Sequence, residues 1–129
     1  MLALDTNVLV RYLTADHPTQ STRARKLIDD NDVLVSTTVL LETEWVLRGV
    51  YGLRRAEIIV ALRGFAGLAR VTLQDPDTAA RALDWAEGGL DFADALHLAS
   101  AATCEAFVSF DRAFARAANR SGGVQVRAP

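Results

Sequence analysis

An α/β domain built on a mostly parallel sheet is what the sequence predicts, and three observations predict it. Short apolar runs alternate with longer stretches of helical period, which is how strands and their crossover helices read. The length of 129 residues suits one domain with one core. Half of the residues are hydrophobic and 23% are charged, a globular balance that excludes a disordered or fibrous chain. A single domain over residues 1–129 is therefore expected, three-layered α/β/α, with a central sheet of about five strands.

The elements follow in order. Strands are expected at Leu2 to Leu4, Val33 to Val35, Arg70 to Leu73, Ala106 to Ser109 and Val124 to Val126. Helices are expected at Val8 to Leu13, Thr19 to Asp29, Thr38 to Gly49, Arg55 to Phe65, Pro76 to Glu87, Phe92 to Thr103 and Arg112 to Arg120. Gly49 with Gly52, Gly67, Gly88 with Gly89 and Gly122 with Gly123 punctuate the breaks between them. Because crossovers cover both faces of a parallel sheet, the strands should be buried and continuously apolar, as Ala106-Phe107-Val108 is. Ligands of such sheets sit beyond the carboxyl ends of the strands, so chemistry is to be sought there.

Bulk properties narrow the function classes. A net charge of −2 provides no general positive field, so any nucleic-acid binding has to be local. Lys26 is the only lysine among the basic residues. Arginine suits bidentate phosphate contacts, although an arginine- and alanine-rich codon usage explains the bias equally well. Cys104 is the only cysteine, which excludes an internal disulfide and a cysteine zinc site and suits a reducing cytoplasm. No basic segment leads into a long apolar run near Met1, and no run approaches the ~18 apolar residues of a membrane span.

Acidic residues gather where the strands end. Asp5 directly follows Leu2-Ala3-Leu4, and Asp111 follows Phe107-Val108-Ser109-Phe110. Glu42 lies about one turn into the helix after Val33 to Val35, and Asp91 and Asp94 open another helix on one face. Each has a structural alternative. Asp5 and Asp111 can cap the helices that follow them, and Asp91 with Asp94 has the form of a capping pair at the positive end of a helix. For Asp91 capping is the stronger reading. Glu42 resists such an explanation, because its helical neighbours Val39, Trp45 and Val46 cannot pair with a charge and burying a lone carboxylate is costly. Glu44, with Arg48 four residues on, reads as an ordinary surface ion pair.

Carboxylates converging on one point repel each other and favour their protonated forms unless a cation is present. Oxygen donors without a His or Cys cluster suit Mg²⁺ or Mn²⁺ rather than zinc. A hard divalent ion of that kind serves phosphodiester hydrolysis.

In four stretches the chain resembles the PIN-domain family, and within it the VapC-type toxins. They are Leu-Asp-Thr-Asn-Val-Leu at the N-terminus, Ser36 leading to Glu42, Asp-Phe-Ala-Asp-Ala-Leu-His-Leu-Ala-Ser-Ala at 91–101, and Val-Ser-Phe-Asp at 108–111. The resemblance implies that Asp5, Glu42, Asp94 and Asp111 hold the metal, with Asp91 as a further member. It places Thr6, Asn7 and Ser109 beside these acids, where their hydrogen bonds would orient carboxylates or water. It also implies an endoribonuclease that forms homodimers and is silenced by a small cognate VapB-like antitoxin. The apolar helices Thr38 to Gly49 and Arg55 to Phe65 would offer that antitoxin a groove, or serve equally as core.

Other residues have plainer readings. His97 is expected to be packed and hydrogen-bonded beside Asp94, and Trp45 and Trp85 to lie in the core. Arg112 reaches phosphate or completes an ion pair. No glycine-rich nucleotide cradle occurs. A phospho-receiver domain, another small fold with acids at strand ends, is disfavoured because Lys26 sits in an early helix and Asp75 only loosely supplies the acid after the third strand. The remaining alternative is a catalytically inactive PIN-like domain that only binds a partner.

Overall fold

Every strand pairing in the protein is parallel, and each of its five strands falls within two residues of its expected place. The computed structural model describes all 129 residues. Its contacts divide the chain into two units, Met1–Pro76 and Asp77–Pro129, each with its own sheet. The expected strands are thus present but shared between a three-stranded and a two-stranded sheet.

In the first unit, β1 (Leu2–Ala3), β2 (Val33–Val35) and β3 (Val71–Leu73) lie side by side in chain order. Leu2 pairs with Val33 and Ala3 with Leu34, while Val33, Leu34 and Val35 pair with Val71, Thr72 and Leu73. Parallel neighbours cannot be joined by a hairpin, so a helix pair fills each crossover. These pairs are α1 (Thr6–Thr14) with α2 (Pro18–Asp30), and α3 (Thr37–Gly49) with α4 (Arg55–Ala66). The central strand meets the expectation of burial, with Val33 and Val35 essentially inaccessible, and Leu9, Ile28, Leu47, Ile58, Leu62 and Phe65 of the surrounding helices are buried as well. The outer strands do not: β1 is exposed, and β3 is half-buried at Val71 and Leu73 and exposed at Thr72. Only β2 has a hydrogen-bonded neighbour on both sides within this sheet.

Caps explain where the helices of this unit begin. Ser36 Oγ accepts the Val39 amide at 3.2 Å and starts α3. His17 Nδ1 accepts the Gln20 amide at 3.0 Å and starts α2, with Pro18 in the first turn where a missing amide hydrogen costs nothing. α1 begins two residues earlier than its apolar period suggests, which makes Asp5 its N-cap.

The second unit holds α5 (Pro76–Glu87, its first residue apart), α6 (Phe92–Ser100), β4 (Phe107–Val108), α7 (Arg112–Asn119) and β5 (Val126–Arg127). Phe107 pairs with Val126 and Val108 with Arg127. Asn119, the last residue of α7, exchanges two hydrogen bonds with the Val126 backbone, at 2.9 and 3.1 Å, and so locks the crossover helix to the strand it leads to. β4 corrects the expectation of a buried apolar strand. Alternation turns Phe107 toward the ring of Phe114, 5.6 Å away and nearly perpendicular, and leaves Val108 on the other face, 53% exposed. Gly123 has a packing reason: a Cβ there would stand 2.8 Å from the Trp85 ring.

On α3 the buried residues are Leu40, Thr43, Glu44 and Leu47, at helical spacing along one stripe. Thr43 is fully inaccessible and its Oγ1 has no hydrogen-bond partner. Removing a buried, unpaired hydroxyl without changing shape relieves its desolvation cost. Thr43→Val is expected to stabilise the protein by about 1 kcal/mol, read as a higher denaturant midpoint at unchanged slope. A lower midpoint would mean that the hydroxyl is bonded.

Candidate metal centre

The register of the first unit decides where its acids emerge. Carried two residues past the Ala3–Leu34 pair, it sets Asp5 level with Ser36, so the start of α1 and the start of α3 share the carboxyl rim of the sheet. Asp5 occupies the N-cap position of α1 with an extended backbone, and its carbonyl accepts the amides of Val8 and Leu9 at 3.1 and 3.3 Å. Its carboxylate makes no cap hydrogen bond. The purely structural reading of this acid, as a side-chain cap, is therefore not realised: the carboxylate is exposed at the positive end of a helix with nothing of its own helix to bind. Beside it Thr6 is buried with its Oγ1 unpartnered, and Asn7 is exposed.

Glu42 and Glu44 exchange the environments expected of them. Glu42 lies off the buried stripe of α3 and is exposed, next to a Trp45 that is 58% exposed rather than part of the core. Glu44 lies on the stripe, with a side chain only 8% exposed, and its carboxylate accepts two hydrogen bonds from the half-exposed Arg48, at 3.0 and 3.4 Å. The ion pair is real but part-buried, because a carboxylate on the inner face must keep its partner. The burial argument for Glu42 falls. What leaves it a candidate ligand is its accessibility near the rim.

In the second unit the carboxylates of Asp91 and Asp111 act on Asp94. Asp91 caps α6, its carboxylate accepting the Asp94 amide at 3.2 Å, as the capping reading held. Asp111 caps α7 through the Phe114 amide at 2.9 Å, and its own amide donates to Ser109 Oγ at 3.0 Å. Ser109 thus fixes the backbone that presents Asp111. Burial, then the neighbouring carboxylate of Asp91, push the Asp94 carboxyl up from its ordinary value; His97 opposes them and Asp111 adds to them. His97 is not the packed residue expected. It is exposed, its ring near-parallel to that of Phe107 with centroids 6.4 Å apart. Arg112 is exposed and forms no ion pair, and Trp85 is half-buried, with the Arg81 guanidinium 5.9 Å from its ring centroid.

No three His, Cys, Asp or Glu side chains of either unit close around a point as a preformed metal cage. The donor chemistry nonetheless fits a hard divalent cation. The acids offer oxygen only, and burial with the carboxylates of Asp91 and Asp111 disfavours the charged form of Asp94, a penalty that a cation removes.

The sequence pattern characteristic of the PIN domain matches residues 2–120, which takes in every acid described above. The chain belongs to the PIN-domain family. Among solved structures, this PIN domain is similar to the VapC20 toxin of Mycobacterium tuberculosis, described as cleaving the sarcin-ricin loop. The two are 22% identical over 98% of this chain and 99% of that one, with a TM-score of 0.45. A comparison with curated proteins found no match.

One feature of the first unit carries no mark in the sequence: a groove of about 360 Å³ between α1 and α2, walled by Asn7, Arg11, Gln20 and Arg23 among others.

The raised Asp94 carboxyl has a consequence for stability. Since its folded value lies above the unfolded one, its contribution is present while the group is protonated and is lost as pH rises from the ordinary carboxylate range through the folded value. Asp94→Asn is expected to flatten the stability profile over that window. Without added metal it should leave the protein more stable near neutral pH by about 0.3 kcal/mol, the size of a relieved like-charge pair on a helix. Urea unfolding between about pH 3 and about pH 8 measures this. Profiles of equal shape for wild type and variant would refute the raised Asp94 carboxyl.

Proposed function

We propose that this PIN domain, a single domain over residues 1–129, is a Mg²⁺- or Mn²⁺-dependent endoribonuclease acting as the toxin of a VapBC-type pair. The observation that carries the reading is the set of acids at the strand and helix junctions: Asp5 with a carboxylate its own helix leaves unused, and Asp94 held among Asp91 and Asp111. Asp5, Glu42, Asp94 and Asp111 would hold the metal, and Asp91, already committed to its cap, would add a further oxygen. Bound by these residues, the ion would supply polarisation of the scissile phosphoryl group, a more acidic water and stabilisation of the leaving oxygen.

The chain's own residues do the positioning. Ser109 holds the Asp111 backbone and the Phe114 amide holds its carboxylate, so that acid is presented in one orientation. Asp91 does the same for the first turn of α6 and hence for Asp94. The exposed Asn7 is the polar group available to orient water, and Thr6, whose buried hydroxyl has no partner, would serve the Asp5 carboxylate. His97, exposed within electrostatic range of Asp94, favours the charged form of that carboxylate.

Two partners belong to this reading besides RNA: a cognate VapB-like antitoxin and a second copy of the chain. Support for a protein partner comes from apolar surface on and next to α3 and α4, where Trp45, Val50 and Val60 are 58, 69 and 72% exposed. No helix is long and apolar enough to cross a membrane, and the lone Cys104 is an exposed free thiol, in keeping with a cytoplasmic setting.

The test is cleavage of a broad set of structured RNAs with either metal. Wild type is expected to cut, chelation to stop it, and Asp5→Asn or Asp94→Asn to slow it by at least about 100-fold, corresponding to a loss of about 3 kcal/mol or more in transition-state stabilisation. Inertness of the wild type on every RNA, with both metals, would leave the non-catalytic partner-binding reading in its place. Growth arrest on induction in a bacterium without a matching antitoxin is expected of a toxin, and unaffected growth would remove that role.

A further inference from the structure

The groove between α1 and α2 has two arginines among its walls. The chain holds 16 acidic and 14 basic residues, yet no carboxylate lines this groove. Its polar walls are Asn7 and Arg11 from α1 and Gln20 and Arg23 from α2, and Leu27 adds an apolar patch. Gln20, Arg23 and Leu27 follow at the spacing of one helix face, so they share one surface turned toward α1. At about 360 Å³ it falls within the size range of ligand sites.

The two arginines are not equivalent. Arg11 is tied on three sides: Nε donates to Gln20 Oε1 at 2.8 Å, and Nη1 donates to Tyr51 Oη at 3.2 Å and to Asp16 at 3.4 Å. Asp16 is itself held by the hydroxyls of Thr14 at 2.7 Å and Tyr51 at 2.9 Å, and these bonds keep its carboxyl below the usual carboxylate range and so charged. Arg11 is thus a braced and partly neutralised wall. Arg23 is exposed, enters no ion pair or hydrogen bond, and leaves its full charge and five donors to the groove. Asn7, two residues beyond Asp5, connects the groove to the proposed catalytic acid.

We propose that this groove binds a backbone phosphate of the RNA strand next to the scissile bond, with Arg23 as the phosphate-binding residue and Asn7 and Gln20 as flanking hydrogen-bond donors. The inference rests on the nuclease reading for its ligand. It answers how a chain of net negative charge holds a polyanion: through a local cation in a carboxylate-free groove rather than a general field.

The experiment uses the full chain and a single-stranded RNA oligonucleotide. Direct binding is measured in the Asp5→Asn background, so that no cleavage intervenes, across a series of salt concentrations. Arg23→Gln is expected to weaken binding about 5- to 10-fold and to reduce the slope of log affinity against log salt by about 0.7, the value for one phosphate contact on a single strand. Arg23→Lys should restore the slope. In the cleaving protein Arg23→Gln should raise KM and leave kcat as it was. Equal salt slopes for Arg23 and Arg23→Gln, or a fall in kcat at constant KM, would overturn the proposal. So would intact RNA binding with lost affinity for a protein partner, which would assign the groove to that partner. A wild type that cleaves nothing defeats the nuclease reading by itself, while the binding series still decides the groove.

Discussion

Parallel pairing is the constraint from which the rest of the structure follows. Once β1 lies parallel to β2, and β2 to β3, no tight turn can join them, and each connection becomes a pair of helices returning the chain to the same edge. All three strands then deliver their chains to one rim, and every helix leaving that rim presents its N-terminus there. Amides without helical partners and a positive partial charge collect at that edge, which favours acids in the junctions. The same rule operates in the second unit, where β4 hands over to α7 through Asp111.

The junction acids illustrate how one residue type suits two demands, the observed caps and the proposed metal ligation. A cap needs a short acceptor at the first position of a helix, and a metal ligand needs a charged oxygen at the same rim. Asp91 and Asp111 each accept the cap amide on one oxygen, and a carboxylate has a second acceptor atom besides. Asp5 uses neither for a cap. Capping and ligation are therefore not rivals at Asp91 and Asp111, and the sequence could not separate them because both readings ask for the same residue in the same place.

Much of the fold was legible for local reasons. The bounds of α5 were read to the residue, because Pro76 starts it and the Gly88-Gly89 pair ends it, and β2 was equally plain as an isolated apolar triplet. Properties set by tertiary surroundings were not legible. Val108 looks like a buried strand residue and stands half in solvent, since strand sequence does not say how many neighbours a sheet will have. The exchange of Glu42 and Glu44 has a similar cause: two positions along a helix is about 200° of rotation, and only the packing of Leu40, Thr43 and Leu47 decides which glutamate turns inward. Trp45 was misjudged with them, for it shares the outer side. Arg23 gave no signal, because a groove between two helices belongs to neither sequence alone.

The two tryptophans fall one in each unit, and their surroundings differ in kind. Trp45 on α3 lies open to water, whereas Trp85 on α5 is half-buried with Gly123 against its ring and Arg81 nearby. The protein thus contains two intrinsic fluorophores of unlike polarity, one reporting on each part of the chain. Replacing either with phenylalanine leaves an emission spectrum that follows the other unit alone, so unfolding can be watched in each unit without attaching a dye.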